Sequence, residues 1–258
     1  MPAITLSQVV QDGPEDGVQP PLLIAHGLFG SARNWGAISK RLSAERSVVA
    51  VDMRNHGDSP RGDHDYRNMA EDLAATVERS GTAMDVLGHS MGGKAAMMLA
   101  LTRPDLVNRL IVADIAPVAY DHSHTAHIEA MRSLDLSGIE RRSEADARLA
   151  QTLPDAGLRA FFLQSLDLRD GPRWKLDLDR LEAGMPASVG WPDVEGRFDG
   201  PALFLAGGAS TYLTAGHHDA VRSYFPNATF QTLDGAGHWL HAEQPRPFVD
   251  AVARFLSD

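Results

Sequence analysis

Gly88-His89-Ser90-Met91-Gly92-Gly93 places a serine between glycines two residues before and two residues after it. A strand candidate, Ala83–Gly88, precedes it and a helical pattern, Met91–Arg103, follows. The G-x-S-x-G motif thus falls on a strand–turn–helix junction, the context it needs. Small residues let the backbone close a sharp turn, which holds the serine in strained φ/ψ and leaves its Oγ exposed at the carboxyl edge of a sheet. The helix N-terminus beside it favours developing negative charge. A Gly-rich turn with an idle serine is the plainer alternative.

A serine hydroxyl is inert at neutral pH without a base. Gly237-His238-Trp239 offers one on a loop after the last strand candidate, Thr229–Leu233, so nucleophile and base follow in the order Ser then His. A tetrahedral oxyanion needs two convergent N–H donors. The Met91 amide, next to the serine, is one candidate; the Leu28 amide, in the loop His26-Gly27-Leu28-Phe29-Gly30, is the other. The acid is harder to place. The loop after Pro201–Ala206, where such a carboxylate usually sits, reads Gly207-Gly208-Ala209-Ser210-Thr211-Tyr212 and contains none. Asp219 follows inside a helical pattern. Asp114, flanked by apolar residues at the carboxyl end of a strand, is costly to bury without a partner, and an imidazole N–H would be that partner. Asp114 as a turn residue or an anchor for the segment that follows is the alternative.

These residues need a scaffold. Leu22–Ala25, Ser47–Asp52, Ala83–Gly88 and Leu110–Ala116 read as strands alternating with helices over Asn34–Leu42, Tyr66–Arg79 and Met91–Arg103, with Thr5–Val10 as an antiparallel edge. That alternation predicts an α/β fold, mostly parallel, with helices on both faces. From Ala119 to about Phe198 the rhythm breaks: no strand pattern appears, and the segment is charged and helical in flavour. The alternation resumes with strands at Pro201–Ala206 and Thr229–Leu233 and a last helix from Pro247 to Leu256. The expected division is a core of residues 1–118 and 199–258 with residues 119–198 as an inserted helical lid. Phe161, Phe162, Leu166 and Trp174 are its candidate substrate-pocket residues.

Composition narrows the classes. With 34 Asp and Glu against 24 Lys and Arg, the net charge of −10 argues against a nucleic-acid footprint. The absence of cysteine excludes a thiol nucleophile and thiolate metal sites. The longest apolar run, Ala95–Leu101, is far short of a bilayer span, and the N-terminus has no basic start with an apolar run. A soluble cytoplasmic protein is expected. His122, His124 and His127 have a spacing that could ligate a metal, but they lack a defined shell of acidic ligands, and no metal is expected. Arg54 and His56 are read as tying down their loop, Lys94 as a solvated or structural charge, and His241 with Glu243 as fixing the His238 loop by hydrogen bonds.

His26–Gly30, the run Asp52-Met53-Arg54-Asn55-His56-Gly57-Asp58-Ser59, the Gly88–Gly93 turn with Lys94, Asp114-Ile115-Ala116-Pro117 and Gly237-His238-Trp239 together resemble an α/β-hydrolase. More closely, the chain resembles the YbfF-type bacterial esterases, from about Leu22 to the C-terminus and including Gly207-Gly208 with Ser210 and Tyr212. The resemblance is weakest in the lid and the first twenty residues. It implies cofactor-free hydrolysis of carboxylic esters, with acyl thioesters as further substrates, and an acid after the strand that precedes the lid, which supports Asp114. Other cofactor-free reactions on this fold, C–C bond hydrolysis or perhydrolysis, and a non-catalytic protein-binding relative are the alternatives.

Overall fold

The structure is a computed structural model and describes residues 3–257. The extreme ends of the expected core, residues 1–2 and 258, lie outside the described residues. Its strands are β1 (Gln8–Gln11), β2 (Leu22–Ala25), β3 (Val48–Val51), β4 (Met84–His89), β5 (Val107–Ala113), β6 (Leu166–Asp167), β7 (Arg173–Trp174), β8 (Ala202–Gly207) and β9 (Ala228–Leu233). Seven of them form one sheet in the order β1-β3-β2-β4-β5-β8-β9, parallel except for the β1 edge.

The helices of the core are α1 (Gly36–Leu42), α2 (Tyr66–Ser80) and α3 (Met91–Thr102) before the insert. Within residues 119–198 lie α4 (Thr125–Ser133), α5 (Arg142–Leu149), α6 (Ala156–Leu163), α7 (Leu178–Ala183) and α8 (Met185–Val189). The core then continues with α9 (His218–Tyr224), α10 (Leu240–Glu243) and α11 (Pro245–Ser257).

Alternation along the strands builds two apolar layers. Leu23, Ala25, Val86, Val112 and Phe204 pack towards α2, α3 and α9, while Leu22, Ile24, Leu87, Ile111 and Leu205 pack towards α1 and α11. Burying such side chains is worth about 1.5–3 kcal/mol each. Helix α3 is apolar on every side except at Lys94 and accordingly buried from Met91 to Leu101. Helix α2 starts where the Asp65 carboxylate accepts the Asn68 N–H and stops at Gly81, whose φ of 76° an L side chain rarely adopts. No helix among the described residues is long and apolar enough to cross a membrane.

Three expectations need correction. The edge strand begins at Gln8, because Ile4 and Ser7 give their N–H groups to the Asp72 carboxylate and the Ser59 hydroxyl. The strand expected at 110–116 runs over 107–113, because Asp114 turns out of the ladder at φ 52°. The segment expected to lack strands contains the short antiparallel pair β6–β7, Leu166 opposite Trp174. Residues 119–198 also build an apolar cluster, including Ile128, Met131, Leu149, Phe162 and Leu181, which Phe29 from the loop after β2 joins.

Candidate active site

Ser90 lies between the last residue of β4 and the first of α3, with φ 52° and ψ −118°. Such a conformation costs roughly 1–3 kcal/mol and persists only where its surroundings over-determine it. They do so here. The Ser90 N–H is fixed on the Ala113 carbonyl of β5 at 3.0 Å. A Cβ at Gly88 would strike the Gly92 carbonyl, and one at Gly92 would strike the Ala25 carbonyl. The Ser90 hydroxyl does not cap its own helix; it lies 3.0 Å from His238 Nε2, to which it can donate.

His238 stands on the loop after β9, with three groups holding it. Its Nδ1–H donates to Asp114 Oδ2 at 2.7 Å. Its backbone carbonyl accepts from His89 Nε2–H at 2.8 Å, which links the serine turn to the histidine loop. The Tyr212 ring stacks on the imidazole at 3.9 Å between centroids. Just before it, the Gly237 N–H donates to the Glu243 carboxylate at 2.6 Å. Glu243 thus does what was expected of it, but His241 does not. Its Nδ1 has no hydrogen-bond partner among the described residues, and the ring is fixed by stacking on Trp35 at 4.3 Å.

Asp114 is fully buried and accepts three hydrogen bonds. Besides His238, Ser210 Oγ donates to Oδ2 and the Gly207 N–H donates to Oδ1 at 3.0 Å. The loop after β8 carries no acid, yet it supplies two donors to the acid on β5, because β5 and β8 are parallel neighbours with Ala113 opposite Leu205. Asp219 lies in the first turn of α9, and the carboxylate on His238 is Asp114.

The loop after β2 is braced by two buried histidines. His26 donates from Nδ1 to the Gly27 carbonyl and accepts the Met53 N–H at Nε2. His56 donates from Nδ1 to the Arg54 carbonyl and accepts the Phe29 N–H at Nε2, 3.1 Å away. That bond fixes Phe29 at φ 64° and leaves the preceding Leu28 N–H without a partner among the described residues. Met91, as the first residue of α3, has no intrahelical acceptor for its own N–H. Arg54 anchors the neighbouring loop through a two-pronged bond to Asp72 at 2.7 and 2.8 Å.

Burial, above all, pushes His26, His56 and His89 below the usual imidazole range and takes His241 down to about 3. Desolvation thus favours the neutral ring at all four positions.

Ser90 opens into a cavity of about 300 Å³ whose apolar wall is Leu28, Leu158, Phe161, Phe162 and Trp239. His124 and His127 face it too, a contribution invisible in sequence because only the folded insert brings α4 over the serine. Of the four candidate pocket residues, Phe161 and Phe162 line this cavity. Leu166 and Trp174 do not, which corrects the expectation. Leu166 is buried in the insert's own core, and the Trp174 indole N–H is committed to the Met131 carbonyl at 2.9 Å. Lys94, expected to be solvated or structural, is buried and donates to three carbonyls.

A family model described as alpha/beta hydrolase fold matches residues 20–245. The mouse sn-1-specific diacylglycerol lipase ABHD11 is 41% identical over 266 residues, covering 98% of this chain and 86% of that protein. Esterase YbfF of Escherichia coli strain K12 is 37% identical, covering 92% of this chain and 93% of its own. Among solved structures, a marine microorganism esterase superposes with a TM-score of 0.92 at 38% identity, over 98% of this chain and 100% of that one. The resemblance carried by the sequence motifs is borne out, and with esterases and lipases as its relatives this chain belongs to the α/β-hydrolase family.

Proposed function

We propose that the protein is a serine hydrolase of carboxylic esters working through Ser90, His238 and Asp114. The observation that carries this reading is the continuous hydrogen-bonded line from Ser90 Oγ to His238 Nε2 at 3.0 Å and from His238 Nδ1 to Asp114 Oδ2 at 2.7 Å. Ser90 Oγ attacks the acyl carbonyl carbon while His238 Nε2 takes its proton. The Leu28 and Met91 N–H groups receive the oxyanion, and both are free to do so. His238 then returns the proton to the leaving oxygen, the C–O bond breaks, and an acyl-Ser90 ester remains. Water, deprotonated by the same imidazole, attacks that ester and releases the acid. Asp114 keeps the proton of the neutral imidazole on Nδ1 and stabilises the imidazolium when it forms.

Acyl thioesters fall under the same reading, since the acyl-enzyme is unchanged and only the leaving atom differs. The insert of residues 119–198 acts as the lid, closing the cavity over the serine with Phe161 and Phe162.

The test is covalent labelling by a fluorophosphonate. The wild-type protein is expected to be labelled at Ser90, and Ser90→Ala to lose labelling while keeping its circular dichroism and melting transition. Labelling that persists on another serine overturns the assignment.

A further inference from the structure

Ser90 faces a second hollow on its other side, of about 30 Å³, between Tyr66, Met91, Ile115, Tyr120, Ser188 and Val189. One water needs about 10–15 Å³ measured this way, so the space suits a group of roughly one or two carbons. The roof of this hollow is the end of α8, where the insert returns to the core.

Two core side chains hold that roof. The Tyr66 hydroxyl donates to the Ser188 carbonyl. Lys94 Nζ donates to Val189 O at 3.2 Å and Gly190 O at 2.6 Å. The same ammonium donates to Val118 O at 2.8 Å, where the chain leaves the core for the insert. Its three N–H bonds therefore clasp both roots of the insert, with the Tyr120 and Tyr66 rings 4.7 and 5.7 Å away as cation–π partners. Lys94 is 1% exposed and forms no ion pair among the described residues.

We propose that Lys94 determines specificity: its protonated form clasps both roots of the insert, sets the height of the roof beside Ser90, and so limits one side of the ester to one or two carbons. This rests on Ser90 being the nucleophile. A neutral amine has two N–H groups and a lone pair, so it cannot satisfy three carbonyls and gives up the cation–π attraction. Burial brings Lys94 down to about 7, so the clasp loosens as pH rises through neutrality.

The facing groups do not titrate in the same window. Tyr66 on α2 and Tyr120 after β5 are pushed above the usual phenol range by burial. Partial burial holds His122 below the usual imidazole range, and α8 contributes no titratable side chain. The linkage sign separates this effect from unfolding. Between about 7 and an unfolded lysine's value of ~10.4, the unfolded chain binds the proton more than the fold does, so this group's contribution to stability rises with pH.

The experiment measures kcat/KM for two ester series, one lengthening the acyl group and one lengthening the alcohol, at pH 6.5 and 8.5. Wild type, Lys94→Met and Lys94→Arg are compared by the ratio of short to long members, in which any effect of pH common to both cancels. At pH 6.5 the wild type is expected to fall about 10–100-fold on passing two carbons in one series, the scale of a fitted methylene pocket. Raising the pH to 8.5 flattens that step about tenfold; Lys94→Met is flat at both pH values, and Lys94→Arg keeps the step at both. A wild-type ratio independent of pH, no size limit in either series, or a Lys94→Met variant that slows short and long esters equally overturns the proposal. If Lys94→Met does not fold, the wild-type pH comparison and Lys94→Arg decide. Loss of wild-type Ser90 labelling would instead remove the catalytic reading, a result distinct from any change in these ratios.

Discussion

Asp114 and His241 are both buried near His238, yet they are held in opposite ways. Asp114 accepts from Gly207, Ser210 and His238, and its backbone is locked into a left-handed turn. His241 has a buried ring nitrogen without a partner among the described residues and is held by the face of Trp35. The same contrast separates the two regions they belong to. Around the serine, short directional bonds fix angles as well as distances. Across the cavity wall, ring contacts such as Phe161 with Trp239 at 5.7 Å fix area and leave orientation loose. Directional bonds suit groups that transfer protons between set atoms, whereas apolar walls suit a substrate tail recognised by bulk. Damage to the first region should therefore change the rate on every substrate, and damage to the second should change which substrates are preferred.

The largest effect is expected from Asp114→Asn. The amide keeps the shape but favours the wrong imidazole tautomer, lowering kcat by ~10²–10⁴-fold, about 3–5 kcal/mol of transition-state stabilisation. Asp219→Asn is expected to stay near the wild-type rate, and steady-state kinetics of both variants on one activated ester checks the pair. Collapse in Asp219→Asn with an unchanged Asp114→Asn would move the acid to the later loop.

Next comes Ser210→Ala, which removes one donor to the carboxylate and leaves the other two. A hydrogen bond to a charged group is worth about 1.5–3 kcal/mol, so a loss of up to about 10–150-fold in kcat/KM, equal on short and long esters, is expected. A loss confined to long esters would mean that the contrast between the two regions is drawn in the wrong place.

The smallest effects sharpen the boundary of the cavity. Phe161→Ala should shift the acyl-length profile while leaving the labelling rate with a small phosphonate within a few-fold of wild type. Trp174→Phe should leave both unchanged, because its ring serves the insert's interior, and should lower stability by about 1 kcal/mol through the lost Met131 bond. A profile that moves with Trp174 and not with Phe161 would return Trp174 to the substrate side.

Sequence reading reached Ser90 and His238 because each sits in a local signature whose glycines have a steric reason visible in the chain. It reached Asp114 by the cost of burying a carboxylate, but it could not see the two donors from the empty loop. Those lie 93 and 96 residues away and are brought close only by the β5–β8 pairing. For Lys94 the sequence leaves solvated and structural roles side by side, and the structure selects the structural one, because its surroundings come from three separate places, residues 66, 118–120 and 189–190. The insert was least legible. Its helices are short and pack against one another, so periodicity showed that they exist but not which face meets the serine. That is why Phe162 and Leu166, four residues apart and equally buried, end on different sides of the wall.

The order of the sheet has a consequence for the newborn chain. Ser90 directly follows β4 in the middle of the sheet, while β8 and β9 join only after the whole insert has been made. At ribosomal speeds of ~5–20 residues per second, the 148 residues from Ser90 to His238 take roughly 7–30 s to emerge. During that interval the central strands can assemble around a serine that has no base and an aspartate with neither its histidine nor its Ser210 partner. On the proposed assignment, Ser90 therefore has no base until His238 has been made and brought over the sheet edge.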